Sequence, residues 1–252
     1  MKRFFFLCVA LCSIAFSSSF AVNYPQPISR PTTRTFPWSM IGELEFQSGN
    51  DYYVGSGTVI APKSVLTAGH VLWDPQTGYS YNLKFTRALY DDNGLSQLYA
   101  TGIYLFGGYA TYAYTYGQNS IQAFAHDMGG MTFAAPLAGG AYVGWWQNPA
   151  TLSNPASYVD ISLGYGAVYH DGSELLAVFP RRPFSDTSGA FYENFSMAVE
   201  GGMSGGPVMA QIPSGYLFVV AVVVSGSDYP IGSGVHAIDA AGATFISTYL
   251  SK

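Results

Sequence analysis

The chain has 252 residues, 10 Lys+Arg against 15 Asp+Glu, only 10% charged residues, and 49% hydrophobic residues with 29 Gly and 20 Tyr. High hydrophobicity with low charge excludes a disordered solvating chain, and scarce Glu, Lys and Arg exclude a coiled coil. The net charge of −5 argues against nucleic acid as a partner, because phosphate binding needs clustered Lys and Arg.

Residues 1–21 read as a secretory signal peptide. Lys2 and Arg3 form a basic start, Phe4 to Phe16 is apolar apart from Ser13, and Ser19-Phe20-Ala21 puts small residues where a signal peptidase reads. The run is too short to span a membrane, and the longest later apolar run, Tyr216 to Val224, is shorter still. Leu11 before Cys12 argues against a lipid anchor. The expectation is a secreted protein, extracellular or periplasmic, with no membrane attachment once the signal is removed. Both cysteines, Cys8 and Cys12, fall within the signal. The mature chain then has no disulfide, thiolate metal site or cysteine nucleophile, as is the habit of bacterial exporters.

Residues 22–35 (VNYPQPISRPTTRT) lack an apolar period and read as an exposed leader or a removable pro-segment, with Arg30 and Arg34 as candidate cleavage points. From Phe36 onward, β-branched and aromatic runs alternate with turns. Strands are expected at 38–46, 52–60, 64–68, 81–90, 98–106, 158–169, 174–179 and 216–224, as in a hairpin-built barrel or sandwich. The Tyr-rich stretch 99–119 reads as a decorated surface hairpin, with a Tyr-lined substrate rim as the alternative. Residues 136–157, rich in Gly, Pro, Asn and Trp, divide a first β unit at 36–135 from a second at 158–252. Only 239–250 looks helical, with Asp239 as N-cap and Ala243, Ile246 and Leu250 on one apolar face.

Three segments carry chemistry. Thr67-Ala68-Gly69-His70 follows an apolar run, His126-Asp127-Met128 precedes two glycines, and Gly201-Gly202-Met203-Ser204-Gly205-Gly206-Pro207 sets one serine among glycines. Flanking glycines admit backbone conformations closed to residues with a Cβ, so the amides of Gly202 and Ser204 can converge on one point, as an oxyanion hole requires. A serine hydroxyl is a poor nucleophile without a base, histidine is the usual base, and a carboxylate fixes its tautomer. Singly each segment is a common loop or turn; together, in the order His, Asp, Ser, they point to nucleophilic catalysis. The four histidines show no HExxH-like ligand spacing, and Asp91 and Asp92 read as a solvated turn, so neither metal nor cofactor is expected.

These residues resemble a trypsin/chymotrypsin-like serine peptidase, closest to the disulfide-poor bacterial branch that includes the glutamyl endopeptidases. Ser56-Gly57-Thr58-Val59-Ile60 with Val65-Leu66-Thr67-Ala68-Gly69-His70 is similar to the family's histidine block. Gly202-Met203-Ser204-Gly205-Gly206-Pro207 is similar to its nucleophile block, Ile161–Gly166 resembles the first strand of its second barrel, and Gly234-Val235-His236 with the final helix resembles its closing segment. The resemblance implies an all-β fold of two six-stranded antiparallel β-barrels with a C-terminal helix and the active site between the barrels. It implies His70, Asp127 and Ser204 as catalytic triad, Gly202 and Ser204 as oxyanion hole, and protein or peptide substrates. By position, Ala198 would form the base of the specificity pocket, with Val199, Val223, Gly226 and Gly234 around it. Val223 stands where glutamyl enzymes carry a histidine, and no Asp lies at the base, so an apolar P1 side chain is expected. Met203 replaces the acidic residue that precedes the nucleophile in vertebrate-type members, and no Ile-Val-Gly-Gly start is present. His126 is read as a neighbour of Asp127, and the serine that often supports the aspartate aligns with Val224 or Ser225.

Two other readings stand beside this one. A secreted binding or adhesion module could keep the same fold without catalysis, since fold alone does not prove activity. Gly202-x-Ser204-x-Gly206 also fits the nucleophile elbow of an α/β-hydrolase esterase, with Asp228 and His236 completing a triad. Too little chain follows the serine for the further βα units, and alternating helices are missing before it.

Overall fold

The computed structural model describes residues 22–154, 158–228 and 231–251. Residues 1–21, read above as a signal peptide, lie outside the described residues. In chain order the elements are β1 (Gln26–Pro27), α1 (Arg30–Thr33), a 3-10 turn at Trp38–Met40, β2 (Ile41–Ser48), β3 (Asp51–Ala61), β4 (Ser64–Thr67) and α2 (Gly69–Leu72). A small hairpin, β5 (Trp73–Asp74) and β6 (Gly78–Tyr79), leads to β7 (Tyr81–Arg87), β8 (Ser96–Leu105), α3 (Tyr109–Tyr116), α4 (Ile121–Phe124) and β9 (Gly129–Phe133). After α5 (Ala150–Ser153) come β10 (Val159–Tyr165), β11 (Leu175–Val178), β12 (Ser185–Ser188), β13 (Phe191–Asn194), β14 (Pro207–Gln211), β15 (Leu217–Asp228) and β16 (Ile231–Ala237). α6 (Ala240–Phe245) and a π-turn at Ile246–Leu250 end the chain.

The first unit closes into a six-stranded barrel in the order β2-β3-β4-β9-β8-β7, every pair antiparallel. Closure removes free strand edges. Leu44, Val59, Val65, Phe85 and Met131 are fully buried inside it, and Phe133 packs on Phe85 with ring centroids 6.1 Å apart. The second unit is an eight-stranded antiparallel sheet in the order β1-β11-β10-β14-β15-β16-β13-β12. A valine-rich β15 crosses its middle, with Val219, Val220, Val222 and Val223 buried, as expected of a strand covered on both faces. A closed barrel, a second sheet and a terminal helix make the chain mostly β, as the resemblance implies; the second unit, expected as a six-stranded barrel, is an eight-stranded sheet that β1 from the 22–35 segment extends at one edge.

Residues 22–35, read as an exposed leader or removable pro-segment, dock on the second sheet: β1 pairs with β11, and Asn23 exchanges backbone hydrogen bonds with Ser196 and Ala198 at 3.0 and 2.8 Å. The divider 136–157 is pinned to both units, through the Val143 amide to Val59 O at 3.0 Å and the Trp146 amide to Val219 O at 2.9 Å. The 99–119 stretch is not a hairpin. After β8 it turns into α3, where Tyr109 and Ala113 are buried one helical turn apart and Tyr112 stacks on Tyr116 at 6.0 Å. Pairs four residues apart share a helix face, and here that spacing outweighs the strand preference of tyrosine.

The terminal helix joins the two units. Asp239 caps it by accepting the Gly242 amide at 2.8 Å. Ile246 and Leu250 are fully buried, and Tyr249 stacks on Tyr104 of the first barrel at 5.4 Å. Each such buried aliphatic side chain contributes roughly 1.5–3 kcal/mol.

Candidate active site

His70 sits on α2 directly after β4, so its position is set by the first barrel. Asp127 follows α4, whose N-cap Ser120 accepts the Ala123 amide at 3.1 Å, and leads into β9. β4 and β9 are paired, which brings the two residues together across 57 positions of sequence. Asp127 is completely buried. Its Oδ1 accepts the His70 backbone amide at 2.8 Å, and its Oδ2 accepts the His70 Nδ1–H at 2.7 Å. An ionised carboxylate only accepts, so the proton lies on Nδ1 and Nε2 presents its lone pair. Burial pushes the imidazole pKa down, but the Asp127 charge and hydrogen bond push it up by more, leaving it above 6.5.

Ser204 lies in the turn that leads into β14, half-buried, and lines the same cleft as His70. Hydrogen bonds fix the turn from several sides. Met203 donates to Glu200 O at 3.1 Å, Gly205 to Val223 O at 2.8 Å, and Gly206 to Met203 O at 2.9 Å. Gly202 has φ +98°, where a Cβ would also overlap the carbonyl of Tyr165, so only glycine fits. The amides of Gly202 and Ser204 donate to no acceptor among the described residues, which leaves both for a ligand oxygen. The Met203 side chain is fully buried in an apolar cluster with Val208, Val220 and Val235. Apolar packing thus anchors the turn at a position where an acidic residue would need a buried cation.

The seam between the units runs through Ser56 of β3. Its amide donates to Ser204 O at 2.7 Å and its Oγ donates to Gly202 O at 2.8 Å. The same Oγ accepts the Tyr165 amide at 2.8 Å, while Thr67 Oγ1 donates to Ser56 O at 2.8 Å. One hydroxyl of the histidine-bearing barrel therefore clamps the serine-bearing turn.

The cleft has a volume of about 590 Å³. Val199, Val223, Gly226 and Gly234 line it, whereas Ala198 does not; its amide donates to Asn23 O at 2.8 Å behind the wall. Among the described residues no Lys or Arg lines the cleft. Val224 and Ser225 also face it, and neither hydrogen-bonds Asp127, which accepts only from His70 among the described residues. His126 turns away to stack on Tyr112 at 4.0 Å and to meet Gln122 O through Nδ1 at 3.0 Å. Glu193, Phe195, Glu200, Gln118 and Asn119 also line the cleft and carry no motif in the sequence, while Ser56 enters there only as part of the histidine-block resemblance, with no role of its own. No group of three or more His, Cys, Asp or Glu that could hold a metal occurs among the described residues.

No protein-family model matches the chain, and no curated protein matches it. Solved structures do. A Glu endopeptidase solved in complex with MPD is 17% identical, with 88% of this chain and 94% of that chain covered and a TM-score of 0.69. The protease Anisep from Arthrobacter nicotinovorans is 19% identical over 83% and 94%, with a TM-score of 0.64. A thermostable serine protease, AL20, from an extremophilic microorganism is 16% identical over 82% and 94%, with a TM-score of 0.62.

Proposed function

We propose that this chain, which carries the chymotrypsin-like serine-peptidase fold, is a secreted serine endopeptidase acting through an acyl-enzyme. The observation that carries the reading is the grip of buried Asp127 on the His70 backbone amide and Nδ1, beside a cleft shared with Ser204. In this reading Ser204 Oγ attacks the peptide carbonyl while His70 Nε2 takes its proton. Asp127 stabilises the imidazolium that forms. The oxygen that gains negative charge is held by the amides of Gly202 and Ser204. His70 then protonates the leaving amine, and water, deprotonated by the same imidazole, releases the acyl group.

Substrates are proteins or peptides with an apolar P1 side chain. Val199 and Val223 line the pocket without charge, and the two carboxylates that also line the cleft are already engaged, Glu200 by His170 at 2.9 Å and Glu193 by Thr187 Oγ1 at 2.9 Å. Export through the 1–21 signal supplies the substrate-rich surroundings. The test is cleavage of a mixed peptide library by the purified protein and by Ser204→Ala, which should lose turnover by several orders of magnitude. Retained turnover in the variant refutes the reading. Cleavage mainly after Glu or Arg refutes the pocket assignment alone, and a folded protein inert on every peptide favours a binding module.

A further inference from the structure

The cleft contains a second buried carboxylate outside the triad. Glu200 lies four residues before Ser204, and its side chain is 3% exposed. Its Oε2 accepts the Tyr169 amide at 3.1 Å, and its Oε1 accepts the His170 Nδ1–H at 2.9 Å. Both donors belong to the segment that follows β10. The backbones of the two segments are joined as well, since the Ala167 amide donates to Gly201 O at 2.8 Å. Gly166 passes so close that a Cβ there would overlap Glu200 Oε1, which locks the carboxylate against this segment.

Burying a carboxylate is unfavourable unless it is paired, and an apolar residue of similar size usually stabilises a core equally well. The pair therefore calls for a role beyond filling space. Its place in the chain suggests one. The Glu200 carbonyl accepts the Met203 amide at 3.1 Å, closing a turn whose middle is Gly201-Gly202. Two successive glycines have wide conformational freedom, yet an oxyanion donor works only when fixed in advance. We propose that the His170–Glu200 pair is a positioning device for the oxyanion site, holding the 200–203 turn so that the Gly202 amide faces the cleft. This rests on the peptidase reading above. Neither side chain takes part in bond making; both act through the Gly202 amide.

The test compares wild type, Glu200→Ala, Glu200→Gln and His170→Ala for kcat and KM on a peptide amide, and for affinity to a peptide boronate that forms a tetrahedral adduct on Ser204. Both Ala variants should lose about 10²-fold in kcat, the scale of an ångström-sized misplacement, with boronate affinity falling in parallel. KM should stay within about threefold, because the ground-state complex uses the oxyanion amides least. Glu200→Gln keeps an acceptor for the Tyr169 amide and should recover part of the loss. Thermal melting and circular dichroism identify folded variants. If Glu200→Ala does not fold, His170→Ala and Glu200→Gln carry the same comparison. Unchanged kcat and boronate affinity in the folded variants, or a rise in KM alone, overturns the positioning role while leaving the peptidase reading intact. A folded wild type inert on peptides overturns both.

Discussion

Asp127→Asn separates a catalytic carboxylate from a merely structural one. Asp127 receives two donors, the His70 amide at 2.8 Å and Nδ1–H at 2.7 Å, in a completely buried site. An asparagine has one acceptor oxygen and one NH2. The backbone amide of His70 can only donate, so the oxygen must stay opposite it and the NH2 must face Nδ1. Nδ1 then becomes the acceptor, the proton moves to Nε2, and the imidazole can no longer take a proton from Ser204. The fold is unchanged, yet the base is in the wrong tautomer. The expected loss is about 10⁴-fold in kcat, or roughly 5.5 kcal/mol of transition-state stabilisation. A second signature follows from charge. The Asp127 charge and hydrogen bond outweigh burial and hold the His70 pKa above 6.5. Wild-type activity should therefore fall as pH drops through a value above 6.5, and removing the charge should move any residual acid limb downward. Steady-state hydrolysis of a peptide amide across pH measures both. A loss under about tenfold, with the acid limb unmoved, would refute this reasoning.

Further expectations follow from the same contacts. Ser56→Ala removes the hydroxyl that serves both Gly202 O and the Tyr165 amide, orphaning two buried groups. It should cost about 1–3 kcal/mol in urea unfolding and lower kcat more than KM; an unchanged kcat would show that the seam does not set the serine turn. His236 is fully buried, its pKa pushed by burial from 6.5 to about 4, with Nδ1–H donating to Phe124 O at 3.2 Å. Between pH 6.5 and 4 the unfolded chain binds a proton that the folded chain refuses, so folding stability falls as pH drops through that window. The loss should approach about 3 kcal/mol relative to His236→Gln, which lacks the titration; urea curves of the two proteins that run parallel from pH 7 to 4 would contradict it.

Local patterns in the sequence carried much of this. The β class follows from alternating aromatic and β-branched runs. The terminal helix is legible through the cap Asp239 and through the spacing of Ala243, Ile246 and Leu250, three side chains that are buried. His70, Asp127 and Ser204 are legible as candidates because glycines and small residues surround them, and that composition is local. What escaped was non-local or atypical in composition. β9, β13, β14 and β16 are short or glycine-bearing strands, defined by the ladders they join rather than by their own propensity. α3 is built of tyrosines that a strand would welcome equally. Ser56 opens a segment that resembles the histidine block, but nothing in the sequence shows that its hydroxyl meets the Gly202 carbonyl, 146 residues later. The Glu200 and His170 pair, 30 residues apart, has no spacing that a motif could reveal.

Covalent labelling measures the central claim most directly. The purified protein is exposed to a serine-directed fluorophosphonate and the adduct is mapped by mass spectrometry, alongside His70→Ala. A single adduct on Ser204 is expected in wild type and none in the variant, because only an imidazole held at that site makes this alcohol reactive. Well-folded wild type left unmodified, or labelling of Ser204 that persists without His70, would contradict it.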